Sequence, residues 1–318
     1  MISIRQTLRD WSLPIAMIAG VLIYFAYINI PFLDSTHAAA RSTVAVVQPL
    51  LIFSMLFITF CKVRIGELRI RRWHVWLLAF QILSFIILSL AVAFLPLTAA
   101  VRVILESAML CLLCPTATAA AVITAKLGGS AASLISYTMA INILVAVVAP
   151  FFLTLIHPTA GGSFLASFLL ISGRVFPLLL APLLLAEVVR RYLPSLHSLI
   201  LQRGHNWPFY LWLVALMLAI AVTTRAIVHT HLPMYVMGAI AIVSFVCCVL
   251  QFAVGRMVGH YYGETVTGGQ ALGQKNTVFA IWLAYTFLTP VTAIAGGFYS
   301  LWHNIVNTWQ LYRCNHTR

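Results

Sequence analysis

The sequence predicts an all-α polytopic membrane protein of about ten transmembrane helices, built as two inverted five-helix repeats with helices 4 and 9 discontinuous. Three observations lead there. The 318 residues are 62% hydrophobic and only 8% charged, with a mean hydropathy of +1.01, too few charges to cover a soluble surface. The apolar runs fall into stretches long enough to cross a bilayer. Two of them are interrupted near their middles, at Cys114-Pro115-Thr116-Ala117-Thr118 and at Gly273-Gln274-Lys275-Asn276-Thr277. Backbone at membrane depth must satisfy its own N–H and C=O groups, so a break survives only under protein or against a wet cavity.

The runs read as spans over about 12–31, 42–61, 73–96, 101–123, 132–156, 165–189, 207–228, 233–255, 266–287 and 288–311. The first lacks a small-residue cleavage site and reads as an uncleaved helix. The fourth carries the proline break, where a missing donor is flanked by hydroxyls and small residues. In the sixth, Arg174 followed by Pro177 and Pro182 predicts a span starting near Ser172, with residues 163–171 along the interface. A mid-membrane arginine without an acidic partner costs at least ~2.5 kcal/mol. The connection over 190–206 divides the chain into halves, repeat one about 1–160 and repeat two about 161–318. Five spans per half force the second to insert upside down, and both breaks then fall in the fourth span of a half. Gln81 and Gln251 are a fainter echo of the repeat. No stretch outside the spans is long enough for a soluble domain, so residues 1–318 form one membrane domain.

A net charge of +13 suggests nucleic acid in a soluble protein, but the basic residues are sorted by side. Most of the 19, including Arg5, Arg9, Arg64, Arg71, Arg190, Arg256, Arg313 and Arg318, fall on one side. Arg41, Arg102, Arg174 and Arg225 fall on the other, with Lys275 between. The positive-inside rule places both termini in the cytoplasm. The expectation is a multi-pass protein of a bacterial inner (plasma) membrane, with the lipid bilayer as partner and no nucleic acid.

Of the six acids (Asp10, Asp34, Glu67, Glu106, Glu187, Glu264) none falls at the membrane centre. Glu106 lies ~15 Å along a helix from the first break, one turn from Arg102, and reads as an interfacial ion pair. Lys275 is the reverse case: an ionisable residue inside a span is functional by default. Its flanks Gly268, Gly269, Gly273 and Asn276 suggest backbone opening. His303, Asn304, Asn307 and Thr308 form a polar stripe suited to inter-helix hydrogen bonds or to substrate. Cys61, Cys111, Cys114, Cys247, Cys248 and Cys314 show no paired spacing and read as packed thiols. The remaining histidines, His74, His157, His205 and His231 among them, sit in loops or at span ends without a metal cluster. No metal or cofactor is expected, and no hydrolase motif such as Gly-x-Ser-x-Gly is present.

On these residues the chain resembles the bile acid:sodium symporter family of the wider bile/arsenite/riboflavin transporter group. The family's fourth-span signature, roughly C-P-G-G-T-A-S-N-V-V-T, is matched by Cys114-Pro115-Thr116-Ala117-Thr118-Ala119-Ala120-Ala121-Val122-Ile123-Thr124. Its ninth-span signature, roughly E-V-G-M-Q-N-S-G, is similar to Ala271-Leu272-Gly273-Gln274-Lys275-Asn276-Thr277-Val278. Its W-H-N stands as Trp302-His303-Asn304 and its third-span glutamine as Gln81. Departures fall on the sodium ligands, which here are Ala120, Ala121, Ala271 and Lys275. An ammonium ~4 Å from a sodium ion costs ~4 kcal/mol at an effective dielectric of about 20.

The resemblance implies panel helices over 12–61 and 165–228, and core helices over 73–156 and 233–311. It implies alternating access for a small organic anion bound near Thr116, Thr118, Asn276, Thr277, His303 and Asn304. The Lys275 ammonium stands in for a cation beside Gln81, so proton coupling or uniport replaces sodium. Alternatives are a sodium-coupled symporter, an arsenite-type efflux carrier using Cys114, and a membrane ligand sensor or intramembrane enzyme without transport. The residues set neither the substrate's identity nor an oligomeric state.

Overall fold

The computed structural model describes residues 12–62, 69–158, 163–203, 207–230 and 232–316. Arg5, Arg9, Asp10, Arg64, Glu67, His205, His231 and Arg318, all weighed above, lie outside the described residues. In chain order the helices are α1 (Ser12–Asn29), a 3-10 turn (Pro31–Thr36), α2 (His37–Cys61), α3 (Arg72–Phe94), α4 (Ala99–Leu113), α5 (Ala120–Lys126) and α6 (Ala131–Ile156). The second part holds α7 (Phe164–Tyr192), α8 (Pro194–Arg203), α9 (Trp207–Val228), α10 (Met234–Tyr261), α11 (Thr265–Gly273), α12 (Thr277–Phe287) and α13 (Pro290–His316). The described residues contain no strand beyond a single antiparallel bridge. Among the described residues six helices are long and apolar enough to cross a membrane. Leu22, Ile87, Leu184 and Ile242 face outward, which suits hydrocarbon rather than water.

Packing joins α1 to α9, and α2 to both α7 and α9. A second set of contacts joins α4 to α3, α10 and α13, α10 to α11, and α12 to α13. The two sets meet where α6 packs on α7 and α9 on α13. The principal hydrophobic cluster runs through Leu113, Cys114, Ala271, Leu272, Val278 and Phe279. Residues on both sides of each break therefore sit inside protein, as membrane-depth backbone requires.

Two expectations about local structure are corrected. Residues 163–171 do not lie apart along an interface. Ser163 accepts a hydrogen bond from the Ala166 N–H, and one helix runs from Phe164 to Tyr192 through Arg174, Pro177 and Pro182. The arginine is tolerated because it lines a cavity. Gly268 and Gly269 do not open the backbone either; both are helical in α11. A Cβ on Gly268 would meet the Gly255 carbonyl oxygen at 2.4 Å, and one on Gly255 would meet the Gly268 oxygen at the same 2.4 Å. These glycines let α10 and α11 touch backbone to backbone, as small residues do in membrane helix pairs.

The unshielded polar groups behave as a membrane core demands. Glu106, almost fully buried, accepts from Arg102 at 3.2 Å and from Thr292 at 3.2 Å, and lies 2.9 Å from the His157 ring. Arg71 pairs with Glu264, and Arg190 with Glu187. Five of the six cysteines are buried, all six are free, and the described residues form no metal-binding cluster.

Candidate functional site: two broken helices and a cationic cavity

Helix α4 ends at Leu113, just before Pro115, which has no donor to continue the ladder, and the chain re-enters a helix only at Ala120. Helix α11 ends at Gly273, and α12 restarts at Thr277, capped by the Asn276 side chain, which accepts from the Phe279 N–H at 3.1 Å. The two open segments cross and complete each other. The Ala117 N–H donates to the Gln274 carbonyl at 2.9 Å, and the Asn276 N–H donates to the Pro115 carbonyl at 2.8 Å. Together they make an antiparallel bridge between Thr116 and Lys275. Backbone groups stranded by one break are thus satisfied by the other, which removes the several kcal/mol each would cost unpaired.

Side chains serve the remaining helix ends. Gln81 donates to the Leu113 carbonyl at 3.1 Å and the Cys114 carbonyl at 2.9 Å, and accepts from the Tyr137 hydroxyl at 3.0 Å. On the other break, Tyr299 donates to the Gly273 carbonyl at 2.8 Å and accepts from Gln251 at 3.0 Å. Gln251 also donates to the Cys111 carbonyl at 3.2 Å. Thr116 donates to the Ala271 carbonyl at 2.6 Å. Sequence reasoning picked out the two glutamines but missed Tyr137 and Tyr299; as single tyrosines in apolar runs they carry no pattern.

Lys275 is 1% exposed, and its ammonium has no hydrogen-bond partner among the described residues. The titratable groups that act on it are the thiols of Cys114, Cys111 and Cys247, and no carboxylate pairs with it among the described residues. Gln81 braces the opposite break and makes no bond to Lys275. An unpaired buried amine is expensive, so Lys275 does not serve the stability of the fold.

All six expected substrate residues are buried: Thr116, Thr118, Asn276, Thr277, His303 and Asn304. Three of them are already occupied: Thr116 with the Ala271 carbonyl, Asn276 with its own helix start, and Asn304, whose amide donates to the Ser300 carbonyl at 2.8 Å. His303 packs its ring 5.7 Å from Tyr299 and keeps its Nδ1 unpartnered, as are Asn304 Oδ1 and both polar atoms of Gln274. One turn further, Gln270 donates to Asn307 at 3.0 Å and to Gln310 at 2.8 Å. No family model matches this chain, and no curated protein does.

The open space lies elsewhere. A half-open cavity of about 910 Å³ is lined by α1, α2, α7, α9 and α12, and none of the six expected residues lines it. Its wall includes Arg41, Arg174 and Arg225, together with Gln48, Trp282 and Tyr285. Gln48 links it to the crossing, since its amide donates to the Val278 carbonyl at 3.3 Å, in the first turn of α12. Helix α12, which begins at the second break, therefore forms part of the cavity wall. The arginines were legible only as side-sorted charges; their convergence needed the fold.

Proposed function

We propose that this protein is a secondary carrier for an organic anion. In this reading the helices α1, α2, α7 and α9 form one unit, the remaining long and broken helices form the other, and the cavity between them is the substrate vestibule. The halves of the chain are inverted repeats, the termini are cytoplasmic, and the chain is a divergent relative of bile acid:sodium symporters. The observation that carries the proposal is the crossing itself: two interrupted helices bridged at Thr116 and Lys275, with an unpaired buried amine at the junction. Discontinuous helices of this kind mark the site in carriers. The matched pairs Gln81–Tyr137 and Gln251–Tyr299, one on each break, support the internal repeat.

The amine occupies the place where a metal cation would sit in a sodium-coupled relative. A fixed positive charge repels sodium, and an amine desolvated at such a junction can give up its proton when the site changes exposure. Coupling is therefore to protons, or transport is uniport, with Lys275 as the switching charge. Uptake of a panel of carboxylates into proteoliposomes, under separately imposed proton and sodium gradients, tests this. Uptake should occur without sodium and respond to a proton gradient or to none. Strict sodium dependence overturns the coupling assignment, and absence of flux for every acid overturns the carrier assignment.

A further inference from the structure

The cavity wall carries more positive charge than one carboxylate needs. Arg41, Arg174 and Arg225 all line it, and among the described residues none has a carboxylate within ion-pair distance. Asp34, in the turn before α2, lies 4.0 Å from His37 and pairs with none of the three. Arg41 on α2 and Arg225 on α9 share the same stretch of wall with Tyr285, and both act electrostatically on its phenol. Arg174 stands on a third helix, α7, and is not among the groups that act on that phenol. Between and around the arginines the wall is apolar and aromatic, with Ile23, Val44, Leu218, Val222 and Trp282.

We infer that the vestibule is a two-point site for a dianion: an apolar body carrying two separated acid groups, one held by Arg41 and Arg225 and the other by Arg174. The inference rests on the carrier reading and narrows its substrate class. Guanidiniums suit this because their planar forks grip carboxylate, sulfonate or phosphate oxygens bidentately. Arg41 and Arg174 are exposed to the cavity and Arg225 is partly buried, so all three are accessible to an anion that relieves their mutual repulsion. The same chemistry would serve the phosphate of an anionic lipid, so the experiment must separate the two sources.

The full-length protein in phosphatidylcholine nanodiscs is titrated with straight-chain fatty acids and with α,ω-dicarboxylates of equal length, eight to fourteen carbons (a range of about 10–18 Å end to end). The diacid should bind about ten-fold or more tighter than its monoacid, the gain expected from one added charge-assisted contact. In Arg174→Gln the diacid should fall to the monoacid's affinity while the monoacid is unchanged. Arg174→Lys should keep part of the preference. Equal affinities for the two series, no binding of either, or an Arg174→Gln loss shared equally by both, overturns the two-point site. Displacement by phosphatidylglycerol in the nanodisc without diacid binding assigns the arginines to lipid headgroups and overturns it as well. Transport of monoacids without a diacid preference leaves the carrier reading standing and removes only this inference.

Discussion

In the carrier reading, Lys275 is the residue at which stability and function pull apart. Its side chain is buried among thiols and apolar groups, with no acid to pair it among the described residues, so replacing it with an apolar side chain of similar length relieves a desolvation cost. Lys275→Met should melt a few degrees higher, about 2–4 °C per kcal/mol for a chain of this size, while losing its response to an imposed proton gradient. A lower melting temperature would mean that the ammonium is paired after all. Tyr299 is the opposite case. Its hydroxyl joins the Gly273 carbonyl to Gln251, so Tyr299→Phe leaves a buried carbonyl unpaired and should cost about 1–3 kcal/mol, read by thermal unfolding. Lysine within an apolar run stands out in the sequence because it is out of place. Tyrosine does not, because its ring is as apolar as its surroundings and only the position of its hydroxyl matters.

Among elements, the breaks show how far local chemistry reaches. Pro49, Pro150, Pro177 and Pro182 lie inside helices that continue through them, so a proline alone does not open a membrane helix here. At Pro150 the helix runs on although the missing N–H leaves the Ala146 carbonyl, four residues back, without its ladder donor. At Pro115 the carbonyl freed four residues back, that of Cys111, is taken by the Gln251 side chain, and the Pro115 carbonyl by the Asn276 N–H of another segment. The difference is tertiary. The start of α12 depends on its cap, so Asn276→Ala should cost ~1 kcal/mol, measurable as lower thermal stability in detergent. The α10–α11 seam depends on the absence of side chains. Gly268→Leu should abolish recovery of folded protein, whereas Gly173→Ala, with nothing within 4 Å of its Cβ, should be neutral. Equal recovery of both variants would show that the seam tolerates separation.

For the molecule as a whole, the exposure of Leu22, Ile87 and Ile242 against the burial of Gln81, Lys275 and Gln251 is the pattern of a protein whose solvent is hydrocarbon. Among the described residues six helices satisfy the length and apolarity of a span. The two broken elements cannot do so individually, because each is divided into pieces of fewer residues. If α4 with α5, and α11 with α12, each act as one span, cysteines placed at Lys126 and at Thr98 should be labelled from opposite sides of the membrane by an impermeant thiol reagent. Labelling from the same side would remove the spanning role of the first broken element.

Composition and the spacing of apolar runs determined by themselves that this chain lives in a membrane as helices, and where two of those helices lose their continuity. Those properties depend on how each short stretch meets water or lipid, so they are written locally. Only the tertiary structure decided which freed backbone groups find each other, that Tyr137 and Tyr299 brace the breaks, and that Arg41, Arg174 and Arg225 share one cavity. Each of those facts joins residues far apart along the chain, and no local pattern encodes a meeting that packing alone brings about.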